Sequence, residues 1–204
     1  MLFRSTLLLL RHGESEGNVL RMIQGWRDYP LTERGHRQAS YAAQRLATSG
    51  AAALYASPLL RAADPARAVA RTTGLDVQWT PDFREYHFGA AEGMRWNDAA
   101  RRWGLVDRDW GVGRVPGEEG MEAFRARVSR QFDELRARHR DDLAICVLHA
   151  GTVGALIEEL CGLPLHEHVA LYTGNCGISV IGEADGTPSI VTLNDQRHIP
   201  ADER

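Results

Sequence analysis

The chain has 204 residues, enough for one domain with a sizeable core, and 44% of them are hydrophobic against 25% charged, the balance of an ordinary globular protein. Lys and Arg together number 24 and every one is arginine, which excludes chemistry that needs a lysine amine: a Schiff base, a pyridoxal anchor or the lysine of a P-loop. A formal charge of −3 offers no basic face for a polyanion, so nucleic acid is not an expected partner.

Thr6 to Leu10 is a short continuous apolar run, the pattern of a central parallel strand covered on both faces. A polar loop comes next, from Arg11 to Leu31. Thr32 then has the chemistry of a helix N-cap, ahead of a stripe of Ala39, Ala42, Ala43 and Leu46 that ends at Gly50. Ala52 to Ala56 reads as a second strand. Ser57-Pro58 predicts a cap opening a helix towards Thr72, but Pro65 interrupts it; the alternative is that Asp64-Pro65 is itself the cap and residues 58–63 form a separate turn. Val77 to Thr80 is a third strand. Residues 81–120 read as irregular apart from a short helix near Trp96 to Trp103. Met121, Phe124, Val128, Phe132 and Leu135 then recur at helical spacing, and Leu143 to Leu148 reads as a buried strand. That strand runs into His149-Ala150-Gly151 and then a helix through Leu160 that stops at Gly162-Leu163-Pro164, and Ile178 to Ile181 with Ile190 to Leu193 flank the hairpin signal Asp185-Gly186. Alternating strands and helices without a repeat or a linker predict a single α/β domain spanning 1–204, with a mainly parallel sheet.

Cys146, Cys161 and Cys176 lie far apart without metal or redox spacing; an odd count suits a reducing compartment and buried thiols. The leading Leu7 to Leu10 run ends at once in Arg11-His12-Gly13 with no cleavage site, and no stretch approaches the roughly 20 apolar residues of a membrane span. A cytoplasmic protein with no membrane association is expected.

In a parallel sheet, ligands gather at the carboxyl ends of the strands. Three polar clusters fall just past those ends: Arg11-His12-Gly13-Glu14, Ser57 to Arg61, and His149-Ala150-Gly151. Two arginines that can fork onto phosphate oxygens and two histidines that offer a nucleophile and a donor are what phosphoryl transfer requires. Any one cluster alone would read as solvated loop; their shared position is what counts.

These residues resemble the histidine phosphatases, the phosphoglycerate mutase-like superfamily. The likeness runs through Arg11-His12-Gly13-Glu14-Ser15-Glu16-Gly17-Asn18, the block from Gln24-Gly25-Trp26-Arg27 to Gly35, Ser57-Pro58-Leu59-Leu60-Arg61-Ala62, Arg84 to Gly93, Leu148-His149-Ala150-Gly151, and Asn175 to Ile181. The resemblance implies a three-layer sandwich with helices on both faces of the sheet. It also implies that His12 is the nucleophile forming a phosphohistidine, with Arg11, Arg61 and His149 around the phosphate. Asn18 and Gln24, with Gly25 and Ala150 beside them, would add phosphate contacts, and Glu85 would donate the proton. Glu92, seven residues on, is the rival acid and reads better as a loop brace; Glu14 reads as a gate or a substrate contact. A neutral imidazole is needed for attack, which the positive field of the two arginines favours, and its second nitrogen needs an acceptor such as a backbone carbonyl.

Two departures from the family pattern stand out. Asp64-Pro65 replaces the usual Gln-Thr pair, and Pro116-Gly117-Glu118-Glu119-Gly120 lacks the serine of Pro-Gly-Gly-Glu-Ser, with Glu119 expected as a helix-cap carboxylate. Residues 86–120 are the expected lid. Asp107-Arg108-Asp109 and His166-Glu167-His168 read as solvated loop and exposed turn rather than as a phosphatase motif and a zinc site. Trp96, Trp103 and Trp110 recur every seven residues, consistent equally with a substrate cap and with a helix packed on the core. His36 and His139 read as surface residues, and His87 as a substrate contact if its loop turns inward.

The expected activity is a metal-independent phosphomonoesterase without cofactor, acting on a small phosphorylated metabolite. A cofactor-dependent phosphoglycerate mutase is the alternative; the resemblance gives mutases a longer chain with an inserted lysine and paired arginines, whereas here only Arg101-Arg102 pairs. A non-catalytic phospho-ligand binder is the second alternative, against which the intact set of Arg11, His12, Arg61, Glu85 and His149 argues. The sequence leaves a homodimer open.

Overall fold

The computed structural model describes residues 6–105, 111–164, 171–184 and 186–204. Its centre is a six-stranded sheet of β1 (Thr6–Arg11), β2 (Ala53–Ala56), β3 (Val77–Trp79), β4 (Leu143–Leu148), β5 (Ile178–Ala184) and β6 (Thr187–Asp195), in the order β3-β2-β4-β1-β5-β6. The first four strands run parallel, and the β5–β6 hairpin is added antiparallel against β1.

Alternation along the central strands makes two cores. Leu7, Leu9, Tyr55, Cys146 and Leu148 point to one face, where α5 (Met121–Arg138) supplies Phe124, Val128, Phe132 and Leu135, and α6 (Ala150–Leu160) supplies Val153, Leu156 and Ile157. Leu8, Leu10, Leu54, Ile145 and Val147 point to the other. There α2 (Glu33–Leu46) brings Ala39, Ala42, Ala43 and Leu46, and α3 (Leu60–Thr73) brings Ala62, Ala66 and Val69. The small residues on α2 and α3 let both helices approach closely. This is the expected three-layer α/β sandwich with helices on both faces.

Thr32 caps α2 as its sequence predicts, its side-chain oxygen accepting from Gly35 N–H. Elsewhere the local chemistry is overridden. Helix α3 begins at Leu60 without a side-chain cap and runs unbroken through Pro65, so neither the Ser57-Pro58 cap nor the Asp64-Pro65 cap is used. The missing proline N–H would have bonded the Arg61 carbonyl; burial of the Ala62, Ala66 and Val69 face keeps the segment helical regardless. The loop from Arg11 to Leu31 contains a one-turn helix, α1 (Glu16–Val19), capped reciprocally by Ser15 and Asn18. The short helix expected near Trp96 is α4 (Trp96–Trp103). Cys146 and Cys176 are buried, but Cys161 is exposed at the end of α6, where the chain has left the core. Among the described residues, no helix is long and apolar enough to cross a membrane.

Candidate active site

Strand register sets the site. Arg11 lies opposite Leu148, and Ala56 opposite Val147, so the next residues of each strand emerge side by side at one edge of the sheet. His12 N–H bonds the Leu148 carbonyl at 2.9 Å and Ser57 N–H bonds the Val147 carbonyl at 2.9 Å, carrying the register one residue past the strands. His12 and His149 thereby meet with ring centroids 5.3 Å apart. All three clusters singled out in the sequence open into one cavity of about 510 Å³, lined by Arg11, His12, Arg61, Glu85 and Ala150 among others.

Both imidazoles are held by a hydrogen bond at one nitrogen, and for His12 the partner defines the tautomer. His12 Nδ1 is 2.7 Å from the Gly13 carbonyl, which can only accept, so Nδ1 carries the proton and Nε2 keeps its lone pair towards the cavity. His149 Nε2 is 2.8 Å from Ser57 Oγ, and that oxygen already accepts from Leu59 N–H. The hydroxyl, with a second lone pair and one proton, can accept from Nε2 or donate to it; Nδ1 of His149 is buried without a protein partner among the described residues. Burial, reinforced by Arg11 and Arg61, holds His12 well below the usual imidazole pKa. Burial and then the charge of Arg61 do the same for His149. Neutral rings are the result.

The guanidiniums are placed by carbonyls rather than carboxylates. Arg61, 1% exposed, donates to the Gly25 carbonyl at 2.7 Å and to the Arg27 carbonyl at 3.3 Å. Arg11 donates to the Thr173 carbonyl. Neither forms an ion pair within 4 Å among the described residues, and the Nε of each is buried without an acceptor. Burial pulls Arg61 down to about 10 and lowers Arg11 as well, with the more distant Glu85 carboxylate opposing in both. One buried and one half-buried cation without a carboxylate in contact, beside two neutral imidazoles, form a receptor for a dianion.

The remaining predicted contacts surround the same cavity. Asn18 and Gln24 line it, their amides 2.9 and 2.8 Å from the Ser15 hydroxyl; Asn18 Oδ1 also accepts from Ser15 N–H at 3.1 Å, which orients the Asn18 amide with its NH₂ away from Ser15. Asn175 Nδ2 also donates to the Asn18 oxygen, at 3.3 Å. Ala150 opens α6, and its N–H has no protein acceptor among the described residues. Gly25, at φ +54°, turns its carbonyl to Arg61; a side chain there would strike the Glu92 carboxylate.

Glu85 reaches the cavity from the loop after β3. Its carboxylate accepts from Tyr86 N–H and Gly151 N–H, both at 2.9 Å, the second at the N-terminus of α6. Its backbone carbonyl is held twice, by Trp26 Nε1 at 2.7 Å and by Arg127 at 2.8 Å. Arg127 on α5 uses every donor it has: two nitrogens go to Glu119, at 2.8 and 3.0 Å, and the remaining bonds to the carbonyls of Asp82, Arg84 and Glu85. Periodicity along α5 gave no hint of this clamp, because Arg127 is one more charge beside an apolar stripe. Ser15, Ser57 and Asn175 also went unread as positioning groups, although the Ser15–Asn18 spacing carried a capping signal.

Several expectations are corrected. Glu119 does not cap α5, whose N-cap is Gly120; it accepts from His87 N–H at 2.7 Å and pairs with Arg127. His139 is buried, not exposed, because the chain turns at the end of α5 and brings Nε2 to the Tyr55 hydroxyl at 2.9 Å. Glu14 faces α2, accepting from Thr32 Oγ1 at 2.7 Å, rather than gating the cavity. Glu92 braces the loop, as its sequence position suggests, accepting from the N–H groups of Trp26, Arg27 and Phe88. His87 packs on Trp26, with ring centroids 4.6 Å apart. Trp96 lines the cavity whereas Trp103 packs against the small core around Ile23 and Ala99. Trp110, Asp107-Arg108-Asp109 and His166-Glu167-His168 lie outside the described residues.

Comparison with known proteins agrees with this geometry. Residues 7–196 match the profile of the histidine phosphatase superfamily (branch 1). A protein of Photorhabdus laumondii named probable phosphoglycerate mutase GpmB is 32% identical over 176 residues, 84% of this chain and 81% of its own. The solved structure of Bacillus stearothermophilus YhfR superposes with a TM-score of 0.87 at 28% identity, over 96% of this chain and 99% of its own. A mycobacterial glucosyl-3-phosphoglycerate phosphatase does so at 0.82 and 27% identity, covering 94% of this chain and 100% of that one. With a match over nearly its whole length and a fold shared in full, the chain belongs to the histidine phosphatase superfamily, branch 1.

Proposed function

We propose that this protein is a metal-independent phosphomonoesterase that hydrolyses a small phosphorylated metabolite through a phosphohistidine on His12. The observation that carries the reading is the His12 ring: neutral, with Nδ1–H fixed on the Gly13 carbonyl, and with its Nε2 lone pair turned to a cavity that holds two unpaired guanidiniums. The ester phosphate lies between Arg11 and Arg61, with His149 and the amides of Asn18 and Gln24 beside it. Nε2 attacks phosphorus, the P–O bond to the leaving oxygen breaks, and Glu85 gives that oxygen a proton. The Glu85 carboxylate then takes a proton from water, whose oxygen displaces Nε2 from phosphorus and regenerates the free ring. Charge on the transferring oxygens is met by the guanidiniums already in place, which supply what a bound cation would otherwise provide.

A mutase would use the same phosphohistidine but pass the phosphoryl group to a second hydroxyl in place of water; the name of the Photorhabdus relative favours this second reading. The test is phosphate release from p-nitrophenyl phosphate and an alkyl phosphate in chelator-treated buffer, with 3-phosphoglycerate plus its bisphosphate as the mutase control. His12→Ala should abolish release, and Glu85→Gln should spare nitrophenol as leaving group far more than an alcohol. Turnover surviving in His12→Ala, a requirement for added metal, or mutase flux exceeding hydrolysis would overturn the reading.

A further inference from the structure

Beyond the phosphate, the cavity changes character. The cradle of Arg11, His12, Asn18, Gln24 and Arg61 occupies one end. Much of the remaining wall is apolar, with Met22, Phe88, Trp96, Met121, Phe124 and Leu171 its large side chains, alongside Glu85 and Glu158. These side chains support one another: Phe88 stands edge-on to Trp96 at 5.4 Å and to Tyr86 at 4.7 Å, and Tyr86 stands edge-on to Phe124 at 5.5 Å. The aromatic wall is thus a connected packing unit that keeps its shape without a ligand. Tyr86 is anchored in turn by its hydroxyl, which donates to Glu118 at 2.9 Å and accepts from Gly120 N–H at 3.1 Å.

Charge in the cavity is divided just as sharply. Among the described residues lining it, the cations are Arg11 and Arg61, both in the phosphate cradle, while Glu85 and Glu158 are acidic. A substrate carboxylate placed beyond the phosphate would, among the described residues, meet apolar surface and acids rather than an arginine. A volume of about 510 Å³ falls within the roughly 300–1,000 Å³ typical of ligand pockets and exceeds what a phosphate head alone requires.

We infer that the preferred substrate is a phosphomonoester with an apolar body, an aryl or medium alkyl group, rather than a carboxylated three-carbon ester. This deepens the phosphatase reading of the same site and rests on it. Met22, Trp96 and Met121 act as specificity-determining residues, with the polarizable thioethers accommodating bodies of different shape.

Alkyl phosphates from ethyl to hexyl test this directly, because their leaving alcohols have nearly the same acidity and the series varies only in apolar area. Each buried methylene should raise kcat/KM about two- to fourfold, so that hexyl phosphate exceeds ethyl phosphate by at least about tenfold and also exceeds phosphoserine and 3-phosphoglycerate. Trp96→Ala should lower the hexyl-to-ethyl ratio severalfold. Calorimetric binding of hexylphosphonate against ethylphosphonate, neither of which is hydrolysed, reads the same preference without any turnover. A chain-length ratio near one in both experiments, or phosphoserine or 3-phosphoglycerate preferred over hexyl phosphate, overturns the substrate class while phosphate release still stands. Chain-length-dependent phosphonate binding with no phosphate released from any ester upholds the apolar site and sinks the phosphatase reaction instead.

Discussion

Gly151→Ala is the most selective perturbation the site offers. A methyl group at this position, on the first turn of α6, would lie 2.2 Å from Glu85 Oε1, 2.9 Å from its Cδ and 3.2 Å from Oε2. The carboxylate must move, and in moving it loses the 2.9 Å bond from Gly151 N–H. Backbone strain does not enter, because the residue has helical geometry. Alanine favours the helix by about 0.5–1 kcal/mol, while the lost bond to a charged group is worth about 1.5–3 kcal/mol. The net loss of about 1–2 kcal/mol corresponds to a fall in Tm of about 2–8 °C for a chain of this size, so the variant folds. Catalysis should suffer far more, and selectively. If Glu85 protonates the leaving oxygen, its displacement should reduce kcat/KM on an alkyl phosphate by about 10²-fold or more. On p-nitrophenyl phosphate, whose leaving group departs unaided, the loss should stay under about tenfold. Parallel kinetics on both substrates with a thermal melt make the measurement. Equal losses on the two esters, or an alanine variant that keeps its alkyl phosphatase activity, would refute the placement of Glu85 as the acid.

Arg127→Met removes the five bonds to Glu119 and to the carbonyls of Asp82, Arg84 and Glu85, leaving His87 N–H on Glu119 and Trp26 on the Glu85 carbonyl; the same leaving-group dependence should appear, together with a Tm drop, and Arg127→Lys should restore only part of it because an ammonium cannot reproduce the fork. Ser57→Ala removes the hydroxyl that holds His149 Nε2, so inorganic phosphate should inhibit at about tenfold higher concentration and the melting temperature should fall by several degrees. His12 and His149 are held neutral in the native state by burial and by the arginines. The unfolded chain takes up protons there below about pH 6.5 and the native chain does not, so stability is full above that pH and falls as pH drops through it, by about 1.4 kcal/mol per pH unit for each ring. Urea unfolding between pH 5 and 7 should lose one histidine's share of that slope in His12→Asn, and an unchanged slope would contradict the neutral native ring.

The parts of this site that were legible in the sequence are those fixed by strand ends. A run such as Leu143 to Leu148 can only be a covered strand, and in a parallel sheet the residues just past its carboxyl end must emerge at the ligand edge; the observed register then brings His12, Ser57 and His149 together. The illegible parts depend on contacts between segments remote in sequence. Pro65 argued for a broken helix on local grounds, and the packing of Ala62, Ala66 and Val69 against α2 overruled it. His139 comes after Arg138 at a polar helix end, so nothing local says that it turns under to meet Tyr55. Glu119 precedes a helix and so resembled a cap, until Arg127, eight residues on, proved to be its partner.

The arginines carry this distinction furthest. In a chain with 24 of them and no lysine, composition cannot separate a cation that binds ligand from one that braces a loop. Burial does not separate them either, since Arg125 is as enclosed as the residues of the site. The separation lies in the counter-charge. Arg125 and Arg127 each have a glutamate within 3.3 Å, so their charge is answered within the fold and an added anion would be repelled by the carboxylate. Arg61, buried, and Arg11, half-buried, rest on carbonyl oxygens, with no carboxylate within 4 Å among the described residues. An uncompensated buried charge destabilises the folded chain, and a bound dianion relieves it. The free energy spent in keeping two guanidiniums unpaired is therefore recovered as affinity for phosphate, and it is recovered most fully in the transition state, where charge on the transferring oxygens is best met by donors that are already in place.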